Sequence, residues 1–92
     1  MDKTKLDKAR YIKNMTENLP ALRAKLGLTQ EDTAEKIGVS RVTIAMIETK
    51  KRDMTWNTFL SLVHLFSRNE STEKMLSIFE IYTDELNDYF LE

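Results

Sequence analysis

A chain of 92 residues sets one domain as the default size, and two glycines, one proline and abundant Leu, Ile, Lys and Glu favour helix nearly throughout. The absence of cysteine excludes disulfides and thiolate metal sites. No apolar run approaches the roughly 18 residues of a membrane span, and the polar N-terminus MDKTKLDKARY lacks a secretory apolar segment; a cytoplasmic location is expected. The net charge of −1 conceals a split: residues 1–52 hold 12 Lys/Arg against 7 Asp/Glu, and residues 53–92 hold 2 against 8. A basic front half suits an anionic partner, or else reflects unevenly charged solvated faces.

In residues 1–17, Tyr11, Ile12 and Met15 fall at helical spacing, which predicts a short N-terminal helix or a loosely attached arm. From Asn18 the pattern sharpens. Leu19, Leu22 and Leu26 form a helical stripe with Pro20 in a first turn, and Gly27 ends that helix in a left-handed conformation. Thr29 with Asp32 forms a capping box for a second helix, about 30–37, that buries Ala34 and Ile37. Gly38-Val39 is a tight angular turn, and Ser40 caps a third helix, about 41–48. A basic loop, TKKRDM, follows. Thr55 caps a strongly apolar fourth helix, Ser71 starts a fifth, and Thr83 caps a last acidic turn or helix through Leu91.

Two short helices joined by about three residues that include glycine have the form of a helix-turn-helix. Ala34 sits where the two helices approach closest, and Gly38 occupies the turn where φ > 0 is expected and a Cβ would be costly. Ile37, Val39, Ile44 and Ile47 fill the wedge against the neighbouring helices. With these residues in place, the segment LRAKLGLTQEDTAEKIGVSRVTIAMIETKKRDMTWNTFLSLVHLF resembles the Cro/repressor-type, lambda-repressor-like helix-turn-helix family over about residues 18–67. The pattern GLTQED-AEKIGVSR-TI--IE matches almost position for position, and EIYTDELNDYF is similar to the acidic tail of small stand-alone bacterial regulators of that family. The resemblance implies a compact five-helix bundle and sequence-specific DNA binding in transcriptional control. Three residues depart from the family pattern: Thr33 for Leu or Val, Lys50 for the glycine that ends the recognition helix, and Met54 for a frequent proline. Lys50 must adopt the left-handed conformation at some cost or end the helix differently.

With Ile44 and Ile47 inward, a step of about 100° per residue points Val42 most directly outward, flanked by Arg41, Ala45 and Met46. In a helix-turn-helix that face enters the major groove. Arg41 can pair bidentately with guanine, Val42 and Ala45 can pack on thymine methyls, Thr43 can bond a base or a phosphate, and Met46 completes the surface. The competing reading is contact with a protein, or simple exposure. Expected phosphate contacts flank the helix: Thr29, Gln30, Ser40, Lys50, Lys51, Arg52 and Asn57. Glu48 points back toward the core, where it satisfies local backbone or an arginine such as Arg23.

His64 is a lone packing or surface residue, and the acidic group Asp84, Glu85 and Asp88 reads as a solvated helix rather than a metal site. Trp56 reads as a core or hinge anchor. No nucleophile, base and orienter set is present, so no enzyme activity, cofactor, metal or small-molecule ligand is expected. The stripe Leu76, Phe79, Tyr82, Leu86, Tyr89 and Phe90 is too apolar for a free tail; it either packs on its own domain or forms a dimer interface. A symmetric dimer would place two recognition helices about 34 Å apart on a palindromic operator.

The expected architecture is all-α: an arm or short helix (1–17), a five-helix lambda-repressor-like DNA-binding core (18–67 for its helix-turn-helix part) and an acidic C-terminal helical extension (68–92). The expected function is a sequence-specific, homodimeric transcriptional regulator, a repressor acting on double-stranded DNA. The alternatives are the antitoxin of a toxin–antitoxin pair, with a toxin partner, and a protein-interaction module without DNA binding.

Overall fold

The computed structural model describes residues 6–91, so residues 1–5 of the expected N-terminal arm lie outside the described residues. Six helices occur among them: α1 (Lys8–Leu26), α2 (Gln30–Ile37), α3 (Arg41–Glu48), α4 (Trp56–Ser67), α5 (Glu70–Ile78) and α6 (Asp84–Leu91). The all-α, lambda-repressor-like class expected from the sequence is the observed one.

The first helix differs from the reading that starts it near Asn18. Asp7 caps it, its side chain accepting the Arg10 N–H at 3.2 Å, and it continues without a break for 19 residues. Pro20 therefore lies in its interior, not in a first turn, and removes one backbone donor there. The physical reason is the stripe Tyr11, Met15, Leu19 and Leu22, all fully buried, which stays in phase across Pro20. Each such side chain gains about 1.5–3 kcal/mol on burial, which together outweighs the roughly 3 kcal/mol penalty of an interior proline. Pro20 itself is exposed.

The buried stripe of α1 is the axle of the fold. Helix α1 packs on α3, α4 and α5, α2 packs on α3 and α4, and α4 packs on α5. Phe59, Leu62 and Phe66 of α4 and Ile44 and Ile47 of α3 close the core around it. Thr33, fully buried where an aliphatic residue was expected, donates its hydroxyl to the Thr29 carbonyl at 3.0 Å, so the polar atom is satisfied. Met54 is 3% exposed and fills the core below the α3–α4 loop.

Helix ends follow local chemistry. The Thr29–Asp32 capping box makes both of its bonds, at 2.9 and 3.0 Å. Gly27 (φ 68°) and Gly38 (φ 79°) are left-handed, and a Cβ at either would meet nothing within 4 Å, so glycine serves backbone conformation there and not space. The fifth helix begins one residue earlier than Ser71, at Glu70: Asn69 is its cap, and its Oδ1 accepts from both the N–H and the hydroxyl of Ser71, at 2.9 and 2.6 Å. An amide carbonyl at Asn69 captures two donors that Ser71 as a cap would have left open. Buried Thr72 then donates to the Phe66 carbonyl at 2.6 Å and locks α5 to the end of α4.

Helix α6 docks against the N-terminal half of α1. Leu86 is fully buried. The Tyr11 hydroxyl shares a hydrogen bond with the Thr83 hydroxyl and donates to Glu85 at 3.3 Å. Arg10 lies 3.7 Å from Glu80 and 3.5 Å from Glu85. The basic start of the chain thus meets its acidic end. Trp56 anchors the same region as expected, stacked on Phe59 at 4.7 Å and edge-on to Tyr89 at 6.1 Å.

Candidate nucleic-acid interface

Helix α3 is held by its ends. Ser40 caps it by accepting the Thr43 N–H at 3.1 Å. At the other end Lys50 adopts φ 63°; its N–H bonds to the Ile47 carbonyl at 3.0 Å and the Lys51 N–H bonds to the Met46 carbonyl at 2.8 Å. That pair of bonds is a Schellman motif, so the lysine at the glycine position keeps the usual helix ending and takes the left-handed conformation to do so.

Between those ends Ile44 and Ile47 are buried at 0% and 1% exposure, while Val42 is 53% exposed. Arg41 is exposed and Thr43, Ala45 and Met46 are half-buried around Val42. Arg41 makes no ion pair among the described residues. Val42, Ala45 and Met46 therefore share one accessible face, with Arg41 at one edge of it and Thr43 at the other.

Glu48 faces the other way. Arg23, in the last turn of α1, donates Nε to Glu48 Oε2 at 2.7 Å and NH2 to Oε1 at 2.9 Å, and its NH1 donates to the Leu28 carbonyl at 3.0 Å. Gln30 Nε2 also donates to Glu48 Oε1, at 3.0 Å. The Glu48 carboxylate is thus engaged by two side chains and withdrawn from the exposed face, as its position in the sequence suggested.

The flanking residues divide by what they already bond. Lys50, Lys51, Arg52 and Asn57 are exposed. Gln30 is half-buried with its amide turned to Glu48. The Thr29 N–H is engaged by Asp32 and its side-chain oxygen accepts the Asp32 N–H. Those same contacts hold the Asp32 carboxyl below the usual carboxylate range, first through the Thr29 backbone N–H, then the Thr29 side chain, with Lys36 adding charge. Ser40 and Thr43 hydroxyls lie 2.9 Å apart, and Arg52 NH1 donates to the Thr43 oxygen at 3.1 Å.

Two further charged residues border this surface that the sequence reading did not single out. Glu17 of α1 lies 3.9 Å from Lys13 and 4.0 Å from Lys50, beside an open groove lined also by Ile12, Arg52 and Met54. The unbroken phase from Tyr11 to Leu22 was the signal that would have placed Lys13 and Glu17 on one helix next to the basic loop.

The C-terminal stripe is split by the fold. Leu76 and Leu86 are fully buried in the monomer and are core residues, so the expectation that they form a dimer interface is corrected. Phe79, Tyr82 and Tyr89 are half-buried, Phe90 is 42% exposed, and Ile78 and Leu91, outside the expected stripe, are the most exposed apolar residues. No His/Cys/Asp/Glu group that could hold a metal occurs among the described residues, and no described helix is long and apolar enough to cross a membrane.

Residues 21–57 match the helix-turn-helix family model, from the last turns of α1 through α2 and α3 to the start of α4. No curated protein and no solved structure matches the chain. That family is one of DNA-binding regulatory domains and not of enzymes. The two short helices, the glycine turn between them and the exposed face of α3 coincide with the matched segment, which is similar to the helix-turn-helix of DNA-binding transcription regulators.

Proposed function

We propose that this protein is a sequence-specific transcriptional repressor that reads the major groove with Arg41, Val42, Thr43, Ala45 and Met46. The observation that carries the reading is the outward placement of Val42 next to Arg41, which has no ion-pair partner among the described residues, on a helix whose only carboxylate is turned away into Arg23. Arg41 addresses guanine O6 and N7, and Val42 and Ala45 address thymine methyls. Lys50, Lys51, Arg52 and Asn57, with the start of α2 at Thr29 and Gln30 and the α3 cap at Ser40, contact phosphates on either side. The protein acts as a homodimer on a palindromic operator, joined through the partly exposed Phe79, Tyr82, Tyr89 and Phe90 of the C-terminal extension.

The test is fluorescence anisotropy on the DNA upstream of its own gene at two salt concentrations, wild type beside Arg41→Ala. Salt-sensitive binding that loses about 1–3 kcal/mol and its sequence preference on mutation supports groove readout. Weak binding that is equal for every sequence and indifferent to Arg41 leaves only nonspecific electrostatics.

A further inference from the structure

The basic loop after α3 does not simply project into solvent. It folds back so that Arg52 NH1 donates to Thr43 Oγ1 at 3.1 Å, nine residues away and in the first turn of α3. The same oxygen lies 2.9 Å from Ser40 Oγ, which in turn accepts the Thr43 N–H at 3.1 Å. A hydroxyl oxygen has two acceptor sites and one proton. Arg52 occupies one acceptor site of Thr43. When Ser40 donates its hydroxyl to the second, Thr43 Oγ1 is full as an acceptor and its own proton is free to donate.

We infer that Arg52 is a positioning residue for base readout: with Ser40 it fixes the Thr43 rotamer and sets its hydroxyl as a donor toward an acceptor-bearing base edge. This rests on the reading of α3 as the groove-reading helix. The edges it fits are guanine or adenine N7 and thymine O4, and the edge it rejects is the cytosine amino group. The guanidinium reinforces the choice, because a fixed positive charge 3.1 Å from the Thr43 oxygen favours a base acceptor and opposes a base donor. Discrimination by Thr43 is thereby coupled to a residue outside the recognition helix. A phosphate contact alone would carry no sequence information.

The experiment selects a preferred duplex from a randomised pool with the wild-type protein, then measures affinity for that duplex and all its single-base-pair variants. The proteins are wild type, Arg52→Lys, Thr43→Val, the double variant and Thr43→Ser, with thermal melts to confirm folding. The expected result is that Arg52→Lys and Thr43→Val each reduce discrimination at the same single base pair by roughly tenfold. The double variant loses no more than either single one, and Thr43→Ser retains the preference. Arg52→Lys keeps its charge, so the salt dependence stays as in wild type. A loss with Arg52→Lys that is equal across all duplexes, or that adds independently to Thr43→Val, overturns the inference and leaves Arg52 with its phosphate contact alone. A wild-type protein that selects no preferred duplex defeats the groove-reading assignment itself, and that outcome is visible before any variant is made.

Discussion

Arg23 and Glu48 form a two-pronged ion pair, at 2.7 and 2.9 Å, that ties the end of α1 to the end of α3 with side chains only 16% and 7% exposed. The pair joins α1 to α3 at their C-terminal ends, since each partner sits in the last turn of its own element. Gln30 and the Leu28 carbonyl complete the cluster, so neither charge is left without hydrogen bonds.

Removing one partner should therefore cost more than removing both. Arg23→Met leaves a largely buried carboxylate with Gln30 alone and is expected to cost about 3 kcal/mol, Glu48→Leu strands the guanidinium in the same way, and Arg23→Met combined with Glu48→Leu is expected to lose less than either single variant. Urea unfolding of the four proteins in a double-mutant cycle checks this. Equal and additive losses for the two single variants would show that the pair is not coupled.

Lys50 holds a left-handed conformation that glycine adopts freely. Lys50→Gly is expected to raise stability by about 1 kcal/mol, because the conformational penalty of the side chain disappears while the Schellman bonds remain. For a domain of this size that corresponds to a rise of about 4–8 °C in Tm. If Lys50 also contacts a phosphate, the same variant lowers the salt slope of DNA binding by about one. Thermal melts and salt titrations thus separate the two roles of one side chain.

Glu17 stands within 3.9 Å of Lys13 and 4.0 Å of Lys50, so it competes with any phosphate for those ammonium groups. Glu17→Gln is expected to strengthen DNA binding severalfold at low salt, less at high salt where screening removes the competition. Stability should change little, since exposed pairs are worth roughly 0–1 kcal/mol. Anisotropy at two ionic strengths reads the effect; unchanged affinity at both would place DNA away from this side of α1.

Asp32 supplies a pH dependence of known sign. Its folded pKa is depressed, so its contribution to stability is present above the unfolded carboxylate value of about 3.9 and is lost as pH falls through the lower folded value. Urea unfolding of Asp32→Asn beside wild type across the acid range is expected to show the difference at neutral pH narrowing below about pH 4. A constant difference at every pH would mean that the capping box works without its charge.

Much of this architecture was legible from local pattern. Thr29 with Asp32, Ser40 and Thr55 each mark a helix start by a side chain that bonds backbone within three residues, and such signals survive any tertiary context. Gly27 and Gly38 mark ends because glycine takes the left-handed conformation freely. The inward Ile44 and Ile47 set the outward direction of Val42 by helical geometry alone. Where the pattern misled, a longer-range term had won. Pro20 reads as a boundary, yet the buried stripe from Tyr11 to Leu22 carries the helix through it. By pattern alone Leu76 and Leu86 fit either their own domain or a dimer interface, and each is enclosed by the monomer because α5 and α6 fold back on α1.

The sequence by itself determined the helices, the glycine turn and the outward face of α3, because capping bonds and the 3.6-residue period act between near neighbours. Only the tertiary structure decided between local backbone and Arg23 as the partner of Glu48, and only it showed that Arg52 reaches back to Thr43 and that Tyr11 meets Thr83. These partners lie 25, 9 and 72 residues apart, and no local propensity relates them. They come together because burial of the α1 stripe fixes where α3 and α6 dock, and the polar groups at those seams must then find one another or remain buried without hydrogen bonds.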